Sequence, residues 1–281
     1  MDFMDIERLS YSKFSTYQTC PEQFRLVVVD ELSDSVGWYH AGGTAVHALT
    51  EALDMHALGG DPPKDFNYYF DQAVAELEEL YPDRPKADWI SVGKGAKIEN
   101  ETWWRNAGPG LAAVWTRWLE ASPFVIWVTP DGVPAIELEM DSTFGEVPSK
   151  GFIDRILIRQ DADWDDPSTP LGVVDLKAGK PPSGPTQLAT YGEACLQKGY
   201  PVSWGGYFMV KTGTLAMYDL THLMGNKLEY EYEQAWRGIK NKVFPARPSG
   251  LCKNHCGVAQ YCAWGGQLTD RSHLPYEVEG E

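Results

Sequence analysis

Cysteine placement sets the first limit on this fold: Cys20 stands alone near one end of the sequence, and Cys252, Cys256 and Cys262 cluster near the other in a C-x3-C-x5-C pattern. In a reducing compartment this spacing reads as metal or cluster ligation rather than as disulfides. With Cys20 as the fourth thiolate, two segments remote in sequence must lie side by side. His255 falls inside the first spacer, and Cys195 is left over. A chain of 281 residues with 43% apolar content can bury one sizeable core or two modest ones without a metal. The thiolate site is therefore a local organiser.

The formal net charge of -16 opposes association with a phosphate backbone, because phosphate contacts dominate nucleic-acid affinity. A nucleic-acid function needs a locally basic path, for which Lys94, Lys97, Lys150, Lys180 and Lys198 are candidates. Stacking on tryptophan or tyrosine would add affinity for single strands, although most of the eleven tryptophans read as core. The acidic runs Asp71 to Glu79, Asp161 to Asp166 and Glu229 to Glu233 read as solvated faces or loops. No apolar run reaches the roughly 18 residues of a membrane span, and the first residues lack the basic and apolar regions of a signal peptide. An intracellular, cytoplasmic protein is expected.

Leu9 to Cys20 reads as a short helix with Ser10 or Ser12 as N-cap, broken by Pro21 just after Cys20. A helix over about Thr44 to Leu58 carries Val46, Leu49 and Leu53 on one side and His47, Glu51 and Asp54 on the other, and Gly59-Gly60 stops it. A third helix spans Asn67 to Leu80, and tryptophan-laden segments follow on both sides of Gly108-Pro109-Gly110. From Ala135 the period alternates, with Ile136, Leu138 and Met140 on one face and Glu137, Glu139 and Asp141 on the other. Further strands follow at 151–159 and 171–177, then a helix at about 185–198. An aromatic strand at 203–210 is hairpinned to 215–220, and a last helix covers about 228–243. This order describes one α/β domain with a helical insertion.

Asp175 and Lys177 are two apart on a strand, so they share a face while Val174 and Leu176 pack on the other. Burying each charge in so apolar a strand costs on the order of several kcal/mol unless it is paired or metal-bound. Asp154, inside Phe152-Ile-Asp-Arg-Ile-Leu-Ile158, poses the same problem. Two carboxylates from adjacent strands suit Mg2+ or Mn2+; the bland alternative is an Asp154 to Lys177 salt bridge at a strand end. Gln187 and Tyr191, four apart on the following helix, aim a polar pair at the strand ends. His47 taken alone reads as a surface or internally satisfied histidine.

In order, Leu9-Ser-Tyr-Ser-Lys-Phe-Ser-Thr-Tyr-Gln-Thr-Cys20-Pro, Gly43-Thr-Ala-Val-His47, Gly151-Phe-Ile-Asp154-Arg-Ile, Val174-Asp175-Leu-Lys177, Gln187-Leu-Ala-Thr-Tyr191 and the three late cysteines resemble one nuclease group. It is the RecB-like branch of the PD-(D/E)XK superfamily, which includes the iron-sulfur exonucleases of CRISPR adaptation and their phage-encoded relatives. The resemblance spans nearly the whole chain. It implies a single α/β nuclease domain over 1–281, with a mixed central sheet flanked by helices. Within it, 135–220 is the nuclease core, 60–130 a helical insertion, and 1–30 with 245–265 the cluster-binding segments.

The resemblance further implies His47, Asp154, Asp175 and the Leu176 backbone carbonyl as ligands of Mn2+ or Mg2+, the histidine favouring Mn2+. Asp154, Asp175, Lys177, Gln187 and Tyr191 become the catalytic set. Lys177 positions or activates the attacking water and steadies charge on the phosphate; Gln187 and Tyr191 orient the DNA strand or the lysine. Glu139 matches a carboxylate that the family often carries on its first strand, its role open between support of the ligands and plain surface. Cys20, Cys252, Cys256 and Cys262 become ligands of a [4Fe-4S] cluster, with zinc as the lesser alternative. The family's more frequent spacing, C-x2-C-x5-C, is one residue shorter than the one here.

The function so implied is a metal-dependent DNA exonuclease preferring single-stranded ends. Two other readings use the same residues. One is a non-catalytic DNA-end or partner-binding module of recombination or CRISPR adaptation, which has no need for His47, Asp154, Asp175 and Lys177 together. The other is a zinc-stapled hydrolase of a different phosphoester. The resemblance allows recombination or CRISPR-adaptation partner proteins and homo-oligomerisation.

Overall fold

The computed structural model describes residues 6–265 apart from 33–34, 165, 181, 251 and 253–255. His255 and the first five residues, both used in the sequence reading, lie outside the described residues. Six strands form one mixed sheet: β1 (Phe124–Ile126), β2 (Ile136–Phe144), β3 (Val147–Arg159), β4 (Leu171–Lys177), β5 (Val202–Met209) and β6 (Thr214–Asp219). The long β3 is its spine. Along one edge it pairs antiparallel with β1 and then β2; along the other it pairs with β4, only from Arg155↔Val174 to Leu157↔Gly172. β5 runs parallel to β4 and β6 antiparallel to β5. The parallel step requires a crossover, which α6 (Thr186–Gln197) supplies.

Helices cover both faces of the sheet, so apolar residues form two cores, one of the options the composition allowed. With α6, α1 (Tyr11–Thr19) and α7 (Asn226–Lys240) enclose Phe14, Ile156, Val173, Leu188 and Tyr232. On the opposite face α3 (Trp38–Ala57), α4 (Phe66–Leu80) and α5 (Glu101–Ala121) enclose Val46, Phe70, Trp115, Val174 and Leu176. Leu176 and Asp175 thus serve opposite sides of one strand, as their alternation requires.

The local differences from expectation have physical causes. Ser10 is the N-cap of α1 and accepts the Lys13 N–H. Pro21, however, starts a further short helix, α2 (Pro21–Phe24), followed by a π-helical turn over Arg25–Val29. At a first helical position proline loses no needed donor. α3 begins at Trp38, well before Thr44, because Gly37 is its cap and the His40 ring accepts the Gly37 N–H at 3.2 Å. Helix α5 runs unbroken through Gly108-Pro109-Gly110. Gly108 serves close packing there, since a Cβ would lie 2.0 Å from the Phe66 ring. Strand β1 carries too few residues to show a period.

The first and last described segments meet. Tyr17 donates to the Val243 carbonyl at 2.7 Å, Lys240 to the Ile6 carbonyl at 2.8 Å, and Arg247 to the Gln18 carbonyl. The five cysteines, all among the described residues, form no disulfide with one another. No described helix is long and apolar enough to cross a membrane.

Candidate active site

Beyond Arg155↔Val174 the pairing of β3 with β4 stops. Continued by one step, that register sets Asp154 opposite Asp175, and the β2–β3 register sets Glu137 opposite Asp154. Three carboxylates therefore lie in a row across three strands. Where the ladder opens, Asp154 Oδ2 accepts the Leu176 N–H at 2.8 Å. The neighbouring Lys177 carbonyl accepts the Val210 N–H on the β5 side. Backbone groups of successive strand residues point to opposite edges, so the Leu176 carbonyl faces the opening, on the side of Asp154.

From the helical layer His47 reaches this point, with Nδ1 3.3 Å from Asp154 Oδ2. One ligand atom each from His47, Glu137 and Asp154 lies within 4.8 Å of the others, a set that could hold a metal ion. Glu137 joins it through a left-handed backbone, φ 46°, which is uncommon for a residue other than glycine. Ile136 packs in the α3–α5 core whereas Leu138 and Met140 pack in the other, so β2 changes face at Glu137. Burial, then repulsion from Asp154, push the Glu137 carboxyl up to about 7, against the pull of Arg155. Glu139 stays at the surface and pairs with Lys150 at 2.8 Å. The first-strand carboxylate at the site is thus Glu137. Its signal in the sequence was only its place two residues before Glu139.

Asp175 is 2% exposed. Its Oδ1 accepts from Gln187 Nε2 at 2.7 Å, and the same amide donates to the Tyr191 hydroxyl at 3.0 Å. Lys177 Nζ stands 2.7 Å from Asp175 Oδ2 as an ion pair. The salt bridge of Lys177 is therefore with Asp175, not the Asp154 pairing weighed from sequence: alternation places Asp175 and Lys177 side by side. Burial raises the Asp175 carboxyl far above the usual range, and Asp154 adds to this while Lys177 opposes it. Tyr11 of α1 feels both Lys177 and Asp175, so the first helix closes this side of the site.

Behind the row sits Arg155, 1% exposed, which sequence reasoning passed over. It donates to Asp54 Oδ2 at 2.6 Å and to the Asp154 carbonyl at 2.5 Å, and lies 3.6 Å from Glu137. Trp115 Nε1 donates to both Asp54 oxygens, at 3.1 and 2.9 Å. Asp54, two helical turns after His47, is thereby buried and fixes α3 against β3. An arginine beside Asp154 in an apolar strand, and an aspartate spaced i+7 from His47, were the available clues.

Cys20, Cys252, Cys256 and Cys262 line one cavity of about 510 Å³. Backbone N–H groups of Arg247 and Ser249 donate to Cys20 Sγ at 3.4 Å and Cys252 Sγ at 3.2 Å. Cys195 lies in the sheet core, where burial pushes its thiol up.

The family model of the PD-(D/E)XK nuclease superfamily matches residues 8–263. Two phage proteins are similar over most of their length. The Gene 69 protein of Mycobacterium phage D29 is 29% identical over 270 residues, covering 90% of this chain and 95% of that protein. The Gene 69 protein of Mycobacterium phage L5 is 23% identical over 295 residues with the same coverage.

Proposed function

Since the chain belongs to the PD-(D/E)XK nuclease superfamily, we propose that it is a divalent-metal-dependent DNA exonuclease acting on single-stranded ends. The observation that carries the reading is the row of Glu137, Asp154 and Asp175 beside His47, with one lysine among them. Three neighbouring carboxylates with one lysine among them call for a further cation. His47, Glu137 and Asp154 would hold the ion, with Asp175 and the Leu176 carbonyl beside them. Nitrogen in the set favours Mn2+ over Mg2+. Bound there, such an ion supplies a water of lowered pKa and a polarised phosphoryl oxygen.

The remaining work falls to side chains. Lys177 directs its ammonium at the attacking oxygen and at charge growing on the phosphate, and Gln187 fixes the Asp175 carboxylate against which Lys177 stands. Attack on phosphorus breaks one bridging P–O bond of the strand. We read 135–220 as the nuclease core and 60–130 as the helical insertion, with the segments at 1–30 and 245–265 as a clasp for a [4Fe-4S] cluster. The shared cysteine cavity supports the clasp; zinc is its alternative, and iron analysis with an absorbance band at about 400 nm separates the two. The phage origin of both relatives favours a role in phage DNA recombination, with a partner protein of that process, over CRISPR adaptation.

Time courses on 5′-labelled and 3′-labelled single strands with Mn2+, Mg2+ and EDTA test the reading. Metal-dependent shortening from one end supports it. Strands left intact with Mn2+ by wild type and the Asp154→Ala variant alike would overturn it.

A further inference from the structure

Beside the active site lies a cavity of about 470 Å³ that Gln187 and Tyr191 line together with Lys13, Lys150 and Phe152. Arg8 also lines it, and Arg8 lines in turn a second concavity of about 370 Å³ that carries Lys198. The two make one track leading from Gln187 and Tyr191 to Lys198. In a chain of net charge -16, four cations on one track are a local reversal of sign. Two of them have acidic neighbours, Asp141 at 2.8 Å from Arg8 and Glu139 at 2.8 Å from Lys150. These are solvent-exposed pairs of the kind that contributes little and yields readily to a phosphate. Phe152 is 49% exposed, with the Lys150 ammonium 5.6 Å from its ring centre. A half-exposed ring among cations is the makeup of a single-strand platform: charge tracks the backbone and the ring takes a base face.

We propose that this track holds the DNA strand that feeds the active site, with Arg8, Lys13, Lys150 and Lys198 on successive phosphates and Phe152 stacked on an unpaired base. The proposal rests on the nuclease reading above and assigns the path of its substrate. A base inside a duplex is already stacked on its neighbours, so Phe152 rewards single strands. Of the lysines considered from sequence, Lys150 and Lys198 belong to the track; Arg8 and Lys13 were not anticipated.

The test is fluorescence anisotropy of labelled oligothymidylate in Ca2+ across a salt series, paired with Mn2+-dependent hydrolysis of bis(p-nitrophenyl) phosphate, which is too small to use the track. Arg8→Ala and Lys198→Ala should each reduce the slope of log affinity against log salt by about 0.7. Phe152→Ala, and Phe152→Leu which keeps apolar bulk without the ring, should weaken binding about five- to a hundredfold with the slope unchanged. All should hydrolyse the small diester at the wild-type rate, reporting an intact fold and centre. Wild-type-like binding by these variants would overturn the track and leave the nuclease reading standing, as would a wild type that cleaves the diester but does not bind the strand. A wild type that does neither overturns both. Tighter binding of oligouridylate than of oligothymidylate would overturn the assignment to DNA.

Discussion

Asp154 Oδ2 accepts the Leu176 N–H in the gap where β3 and β4 part, so one carboxylate both closes the opened ladder and faces His47. Asp154→Asn retains an oxygen for Leu176 and removes the charge. The variant should fold normally while Mn2+ affinity and strand cleavage fall on the order of a hundredfold or more. Titration calorimetry and gel assays check this, and unchanged Mn2+ affinity would remove Asp154 from the ligand set.

Glu137 gives the metal-free protein a distinctive pH response. Its carboxyl rises from the ordinary 4.5 to about 7 on folding, so the folded state holds the proton more tightly than the unfolded chain. This contribution to stability is complete below the unfolded value and is lost as pH rises through about 7. Between those limits the metal-free wild type should lose melting temperature more steeply with rising pH than Glu137→Gln does. Mn2+ should restore more stability at the upper end, where fewer protons must leave. Parallel melting profiles for the two proteins would contradict this.

Arg155 and Asp54 form a buried pair, 1% and 4% exposed at their side chains. Removing one partner strands the other, so Arg155→Met should cost about 3–5 kcal/mol in urea denaturation. Adding Asp54→Leu should recover much of that stability without restoring Mn2+ affinity, because the Asp154 carbonyl has still lost its donor. Full recovery of both would limit Arg155 to a packing role.

Gln187 bridges Asp175 and Tyr191, so its loss frees the carboxylate that fixes Lys177. Gln187→Ala should lower kcat about 10- to 100-fold with little change in KM. Tyr191→Phe removes only an acceptor and should do less. The opposite ranking in steady-state kinetics would place the Tyr191 hydroxyl directly on the substrate.

How far the sequence carried depended on whether a signal was periodic or geometric. Alternation in 171–177 and the i, i+4 spacing of Gln187 and Tyr191 determine side-chain direction locally, and both put their residues at the site. The left-handed φ of Glu137 breaks the alternation that assigned it to the solvent face with Glu139. Arg155 escaped notice, and Asp54 read only as part of the polar helix face with His47, because their burial depends on α3 lying over β3, a contact that neither segment encodes alone. Helix α5 hid for a related reason: Gly108-Pro109-Gly110 reads as punctuation until the Phe66 ring lies against it.

The joining of α1 to α7 affects how the protein is made. Phe14 of the first helix stacks on Tyr232 of the last at 3.9 Å, and Tyr17 is bonded to Val243. During synthesis the first helix emerges long before the partners that anchor it, and domains of this size acquire their packing as units. The wall carrying Tyr11 and Lys13 can therefore dock only once α7 has been made. The side of the site that α1 closes is thus completed late in folding, although its residues are among the first to be synthesised.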